Sequence, residues 1–177
     1  MGDKHRLTTE YKGIPGIYFR KLLNTIIDLG RLDRNKFTIL DYGAGHGVLK
    51  NIIKDRNKMV NVINYDIEPD LTEIEDWRDV DFNIVVANEV FYTFDQIALE
   101  SLMAELKKKN KNLEIIVGIS KQSIINNIGK IILGEGGAHN STVLNPKEEI
   151  AILLKHMEII DHKSVWYLAD IYRLRFN

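Results

Sequence analysis

The sequence predicts an α/β protein: a mostly parallel, doubly wound sheet with helices on both faces and an antiparallel strand pair near its C-terminal end. Three observations predict it. Short apolar runs alternate with segments of helical periodicity from residue 17 to about residue 155. A glycine-rich turn, Asp41-Tyr-Gly-Ala-Gly-His-Gly47, joins the first of those runs to a helix. The last apolar stretch, residues 158–176, divides near residues 167–170 into two strand-like halves.

Each element has a local reason. Residues 17–29 carry apolar side chains at helical spacing and stop at Gly30, a helix terminator. Residues 37–40, FTIL, are short and apolar and read as a buried strand. A helix over 48–54 continues out of the glycine turn. Residues 60–65 and 82–87, VNVINY and FNIVVA, are the second and third strands. Residues 96–108 form an amphipathic helix whose basic end suits the negative pole of its dipole. Residues 113–119, LEIIVGI, are a strand rich in β-branched side chains. A helical stretch over 123–133 precedes a glycine-rich loop at 134–142, GEGGAHNST. Asn145-Pro-Lys-Glu148 then starts a helix to about residue 155, with Asn as cap, Pro first and acids in the first turn. No repeat, linker or low-complexity tract interrupts the order, so residues 1–177 read as a single domain.

Composition removes several function classes. Across 177 residues, 24 Lys and Arg oppose 25 Asp and Glu, a formal charge of −1. That balance supplies no field for nucleic-acid backbone or an anionic membrane, so no nucleic-acid partner is expected. The absence of cysteine excludes disulfides, thiolate zinc sites and a cysteine nucleophile. The polar N-terminus does not resemble a signal peptide, and no apolar run is long enough for membrane insertion. A cytoplasmic location follows as an expectation; oligomeric state is not legible.

In doubly wound sheets, ligands bind outside the carboxyl ends of the strands, and the glycine turn lies at such an end. The dinucleotide fingerprint G-x-G-x-x-G fits it only partly. Gly43 and Gly45 supply the first two glycines, but the sixth position is Val48 and the third glycine falls one place early, at Gly47. Asp41 would repel a pyrophosphate, whereas it is well placed to accept a hydrogen bond from a cationic amino group.

Asp41-x-Gly43-x-Gly45-x-Gly47 resembles the first motif of the class I S-adenosylmethionine-dependent methyltransferases, whose fold is Rossmann-like. Tyr65-Asp66-Ile67 follows about 25 residues after Asp41, where an acid on a ribose is expected in a nucleotide-binding βαβ unit. Residues 82–91, FNIVVANEVF, are similar to the family's fourth-strand motif, and the terminal strand pair is a family trait. The resemblance implies S-adenosyl-L-methionine as cofactor, held by Asp41, Gly43, Ala44, Gly45, Gly47, Asp66, Ile67, Asn88 and Glu89, with no metal. In it, Asp66 binds the ribose hydroxyls, and the end of the fourth-strand motif borders the methionine moiety and the reacting methyl. The chain departs from the family in three places. Residues 68–81 replace a helix and a strand, which leaves the third strand vestigial and its share of the adenine pocket open. Asn83 stands where the family has Asp. Residues 88–91 read NEVF rather than Asn-Pro-Pro-aromatic, which argues against a DNA adenine methylase.

The resemblance implies in-line methyl transfer to a small-molecule or glycan-like acceptor. Loop 134–142 is then a mobile cover over the acceptor site, and His139 a base for an acceptor hydroxyl; the alternative is a surface-loop histidine. Two further readings of the chain stay open. One is a catalytically reduced cofactor-binding module or partner-dependent subunit; the other is an NAD(P) or nucleotide-sugar enzyme. Trp77, Phe91, Tyr92 and Phe94 either line a pocket or belong to the core, and Glu89 either faces the site or caps the next helix.

Overall fold

The computed structural model describes residues 13–34, 37–121 and 143–177; the expected helix at 123–133, the loop at 134–142 and His139 lie outside the described residues. Its elements are α1 (Gly13–Gly30), β1 (Thr38–Tyr42), α2 (Val48–Arg56), β2 (Asn61–Tyr65) and β3 (Ile84–Asn88). They continue with α3 (Gln96–Lys109), β4 (Glu114–Ser120), α4 (Pro146–His156), β5 (Met157–Val165) and β6 (Ala169–Phe176). The strands form one sheet in the order β2-β1-β3-β4-β6-β5. β1 to β4 are mutually parallel, and β6 inserts antiparallel between β4 and β5.

Helices cover both faces, as the alternation of runs predicts. Side chains alternate along each strand, so Ile84 and Val86 of β3 join one core while Val85 and Ala87 join the other. The first core packs Leu22, Ile26 and Ile27 of α1 and Leu49 and Ile53 of α2. The second packs Leu99, Met103 and Leu106 of α3 and Leu153 of α4. Each such side chain contributes roughly 1.5–3 kcal/mol on burial, and these contacts give the helices their stability. Trp77 and Phe91 are buried in the second core, which assigns those two aromatics to packing.

The boundaries differ from expectation in informative ways. α1 starts four residues earlier, because Pro15 falls in the first turn, where its missing N–H costs nothing. β1 runs on to Tyr42, so Asp41 is a strand residue paired in register with Asn64 of β2 and Val86 of β3. The β5–β6 turn comes early, with Trp166 and Tyr167 at φ 49° and 57°. Asp95 caps α3 through its bond from the Ala98 N–H at 2.7 Å, so Glu89 is no cap. α4 begins with the expected Asn145 cap, closed reciprocally by Glu148.

No strand replaces the family's third one; residues 66–81 contain only a 3₁₀ turn at Trp77–Asp79. Glu73 does part of its work. Its N–H donates to the Asn64 carbonyl at 3.0 Å, and its carboxylate accepts from the Asn64 N–H at 3.1 Å. Lys50 Nζ holds that carboxylate at 2.5 and 2.7 Å. One residue thus closes the exposed rung of the β2 edge with a charged side chain, a guard against further strand pairing. Asn83 also has a role: its side-chain oxygen accepts from the Thr38 N–H at 3.1 Å, extending the β1–β3 pairing at the end of the sheet away from the glycine turn.

Candidate active site

The carboxyl ends of β1 and β2 form the first half of the site. The N–H groups of Gly43 and Ala44 both donate to the Tyr65 carbonyl, at 2.8 and 3.0 Å, and bind the glycine turn to the end of β2. Asp66 completes the tie: one oxygen accepts from the Gly45 N–H at 2.8 Å, the other from the Glu68 N–H at 3.1 Å. Each oxygen keeps a second lone pair for an outside donor.

Two of the glycines are required by packing. A Cβ at Gly43 would strike Val90, and one at Gly47, the cap of α2, would lie 2.6 Å from the Asn64 amide nitrogen. Gly45 is different. Its φ is +50°, and a Cβ there would meet nothing within 4 Å. Its bare backbone therefore faces open space beside Asp66. Ile67, next along, is 89% exposed, an apolar side chain left uncovered at the same edge.

Asp41 lies behind this turn and is only 5% exposed. Burial pushes its pKa up to about 7, and the charges of Asp66 and Glu73 add to the rise against a smaller opposing effect of Lys50. An acid this buried regains its charge most readily when a cation comes beside it.

The ends of β3 and β4 form the second half. Asn88 lies opposite Gly118, and its Oδ1 is buried without a hydrogen bond among the described residues; a Cβ at 118 would strike that oxygen. Glu89 follows in the left-handed region at φ 59°, a strained conformation for a side chain of its size. Its N–H donates to the Gly118 carbonyl at 3.0 Å, and its carboxylate accepts a short hydrogen bond from the Ser120 hydroxyl. Burial nevertheless raises the Glu89 pKa to about 7, with Ser120 opposing. Tyr18 of α1 reaches the same place; burial, then the Glu89 charge, raises its hydroxyl to about 12, with Ser120 opposing.

Glu149 of α4, like Ser120 and Tyr18, is a member of this group that sequence reasoning missed. It is 2% exposed, its Oε1 has no hydrogen-bond partner among the described residues, and burial followed by the Glu89 charge pushes its pKa to about 8. Tyr92 titrates upward for the same reasons, burial first, then Glu89 and Glu149. The Tyr92 carbonyl accepts from the N–H groups of Val143 and Leu144 at 2.9 and 3.1 Å, which pins the approach to α4 against the end of β3. A signal for Glu149 existed: it precedes Ile152 and Leu153 by three and four residues, an acid on a core-facing stripe. Ser120 and Tyr18 carry no such signal. A cavity of about 510 Å³ opens at the same end of the sheet, walled by Ile119, Ile150 and Tyr172 and rimmed by Lys121, Lys147 and Asp170.

A glycine turn out of β1, an acid at the end of β2 and an antiparallel strand inserted next to β4 define the class I S-adenosylmethionine-dependent methyltransferase fold, and solved structures of that class superpose on the chain. Magnesium protoporphyrin IX methyltransferase (ChlM) from Synechocystis PCC 6803, solved with S-adenosylhomocysteine bound, matches at TM-score 0.65 and 12% identity, over 95% of this chain and 89% of that one. The N-methyltransferase NodS from Bradyrhizobium japonicum WM9 matches at TM-score 0.58 and 14% identity, over 90% and 97%. The mitomycin 7-O-methyltransferase MmcR matches at TM-score 0.64 and 10% identity; 93% of this chain covers 55% of it. No family model and no curated protein matches the sequence. Among the described residues, no helix is long and apolar enough to cross a membrane.

Proposed function

We propose that residues 1–177 form one methyltransferase domain that binds S-adenosyl-L-methionine and transfers its methyl group to a small-molecule acceptor. The observation that carries this reading is Asp41, a nearly buried acid with a raised pKa behind a glycine whose missing Cβ opens onto space. The chemistry of the residues fits the cofactor. Asp41 offers charge to its amino group, Asp66 keeps lone pairs for the ribose hydroxyls, and Ile67 offers an apolar surface to the adenine. Gly43, Ala44 and Gly47 shape the turn beneath it, and Asn88 and Glu89 border its methionine end. Three acids in this half, Asp41, Asp66 and Glu73, oppose a pyrophosphate, which weighs against an NAD(P) or nucleotide-sugar enzyme.

When bound, the cofactor supplies a methyl group on a sulfonium, which a nucleophile takes in line as the C–S bonding pair passes to sulfur. The chain itself has to orient the acceptor, exclude water and hold any proton the acceptor gives up. An O-methyltransferase and an N-methyltransferase both share this fold, so the fold leaves the acceptor atom open. Small size and near-neutral charge support a small acceptor over nucleic acid.

Calorimetric titration with S-adenosylmethionine, S-adenosylhomocysteine, NAD and a nucleotide sugar tests the reading. Binding of the first two alone is expected; binding of NAD alone overturns it. One observation favours a second reading, a binding module completed by a partner: the cofactor edge lacks its third strand and leaves Ile67 bare. Tight cofactor binding without turnover on any acceptor would favour that reading.

A further inference from the structure

We propose that the acceptor is an amine, bound as its ammonium between Glu89 and Glu149 and relieved of a proton there before methylation. This rests on the methyltransferase reading above and names the acceptor class of that site.

Glu89 and Glu149 come from different elements, the end of β3 and the first turns of α4, but the turn at Phe91–Thr93 just after Glu89 packs against α4, and the Glu89 charge acts on Glu149. No cation among the described residues offsets either carboxyl; Lys121, next in sequence to Ser120, is paired with Asp170 at 3.3 Å. The groups around them are Ser120, Tyr18 and Tyr92, hydroxyls that add no positive charge. The Glu149 Oε1 is buried without a hydrogen bond among the described residues, an arrangement that costs free energy unless something pairs with it. A buried acid with an orphaned oxygen and a half-buried acid beside it are the complement of a group with positive charge and several N–H donors. An ammonium has both.

An anionic or neutral acceptor fits poorly. A carboxylate or phenolate would add negative charge where burial already disfavours it, and an alcohol has one donor for two acids. For an amine the proton accounting closes. The ammonium transfers one proton to a carboxylate, which becomes the neutral acid that its surroundings already favour. The nitrogen keeps its lone pair, and methylation of that lone pair restores the positive charge on the product.

Binding to wild-type protein saturated with S-adenosylhomocysteine tests the proposal by calorimetry and thermal shift. The probes are ethylamine, 2-phenylethylamine and tryptamine, each beside its matched alcohol and carboxylate. The amines are expected to bind at least about tenfold tighter than their partners. E149Q is expected to abolish that preference, with E89Q as the second variant if the first does not fold. An alcohol or carboxylate that binds as well as its amine, no amine binding at all, or a preference that survives both substitutions overturns the proposal while S-adenosylhomocysteine binding persists. Loss of S-adenosylhomocysteine binding by the wild type would instead overturn the methyltransferase reading beneath it.

Discussion

The two halves of the site are assembled by opposite means. At the ends of β1 and β2, one turn of five residues and one acid hold each other through backbone N–H groups, with Gly45 bonded to Asp66 and Gly43 and Ala44 to Tyr65. At the ends of β3 and β4, side chains do the work, and they come from four separate places: Tyr18, residues 88–92, Ser120 and Glu149. The first half is therefore tolerant of sequence elsewhere and sensitive to its own backbone. The second is sensitive to any change in how α1 and α4 pack on the sheet. The proposed function calls for such a division: one half would present the same backbone to the same cofactor, while the other could change its acceptor by single side chains.

The sharpest way to break the contrast is Gly45→Val. Its side chain would enter the open space without striking protein, at a backbone cost of roughly 1–2 kcal/mol for the left-handed conformation. Calorimetry should find cofactor binding reduced by about a hundredfold or more in a folded protein, and wild-type affinity would show that the loop serves no ligand. Asp66→Ala comes next. It frees the Gly45 N–H and, on the proposed function, removes the acceptor for two ribose hydroxyls, so affinity should fall at least about tenfold.

The second half should answer to pH. The Glu149 carboxyl has a pKa near 8 in the folded protein against an ordinary value of 4.5. The folded state therefore holds more protons than the unfolded one between those values, and wild-type stability falls as pH rises through that window. Glu149→Gln removes the term. Thermal melts should show it more stable than wild type by about 1 kcal/mol or more at pH 8, the difference fading by pH 4. Equal stability at both pH values would mean that the carboxyl is not trapped without a partner. The smallest effect belongs to the guarded edge. Lys50 and Glu73 are 25% and 43% exposed, so Lys50→Met should cost less than about 1 kcal/mol in a denaturant titration, and less still in high salt.

What the sequence determined by itself was whatever a few neighbouring residues decide. The alternation of strands and helices, the glycine turn, the Asn145 cap and the loss of the third strand are all readable because periodicity, φ restriction and segment length act locally. The candidates Asp41, Gly45 and Asp66 belong to that class, since a turn and the next strand end suffice to bring them together. Tertiary structure alone decided the rest. That β6 enters between β4 and β5 could be anticipated only from the family resemblance, because antiparallel insertion depends on contacts far apart in the chain. That Glu73 guards the β2 edge, that Glu89 adopts a left-handed backbone to meet Ser120, and that Glu149 turns its unpaired oxygen into the interior were beyond even that. Each depends on what surrounds a side chain rather than on what it is, and burial, which sets both its pKa and its need for a partner, is a property of the folded chain.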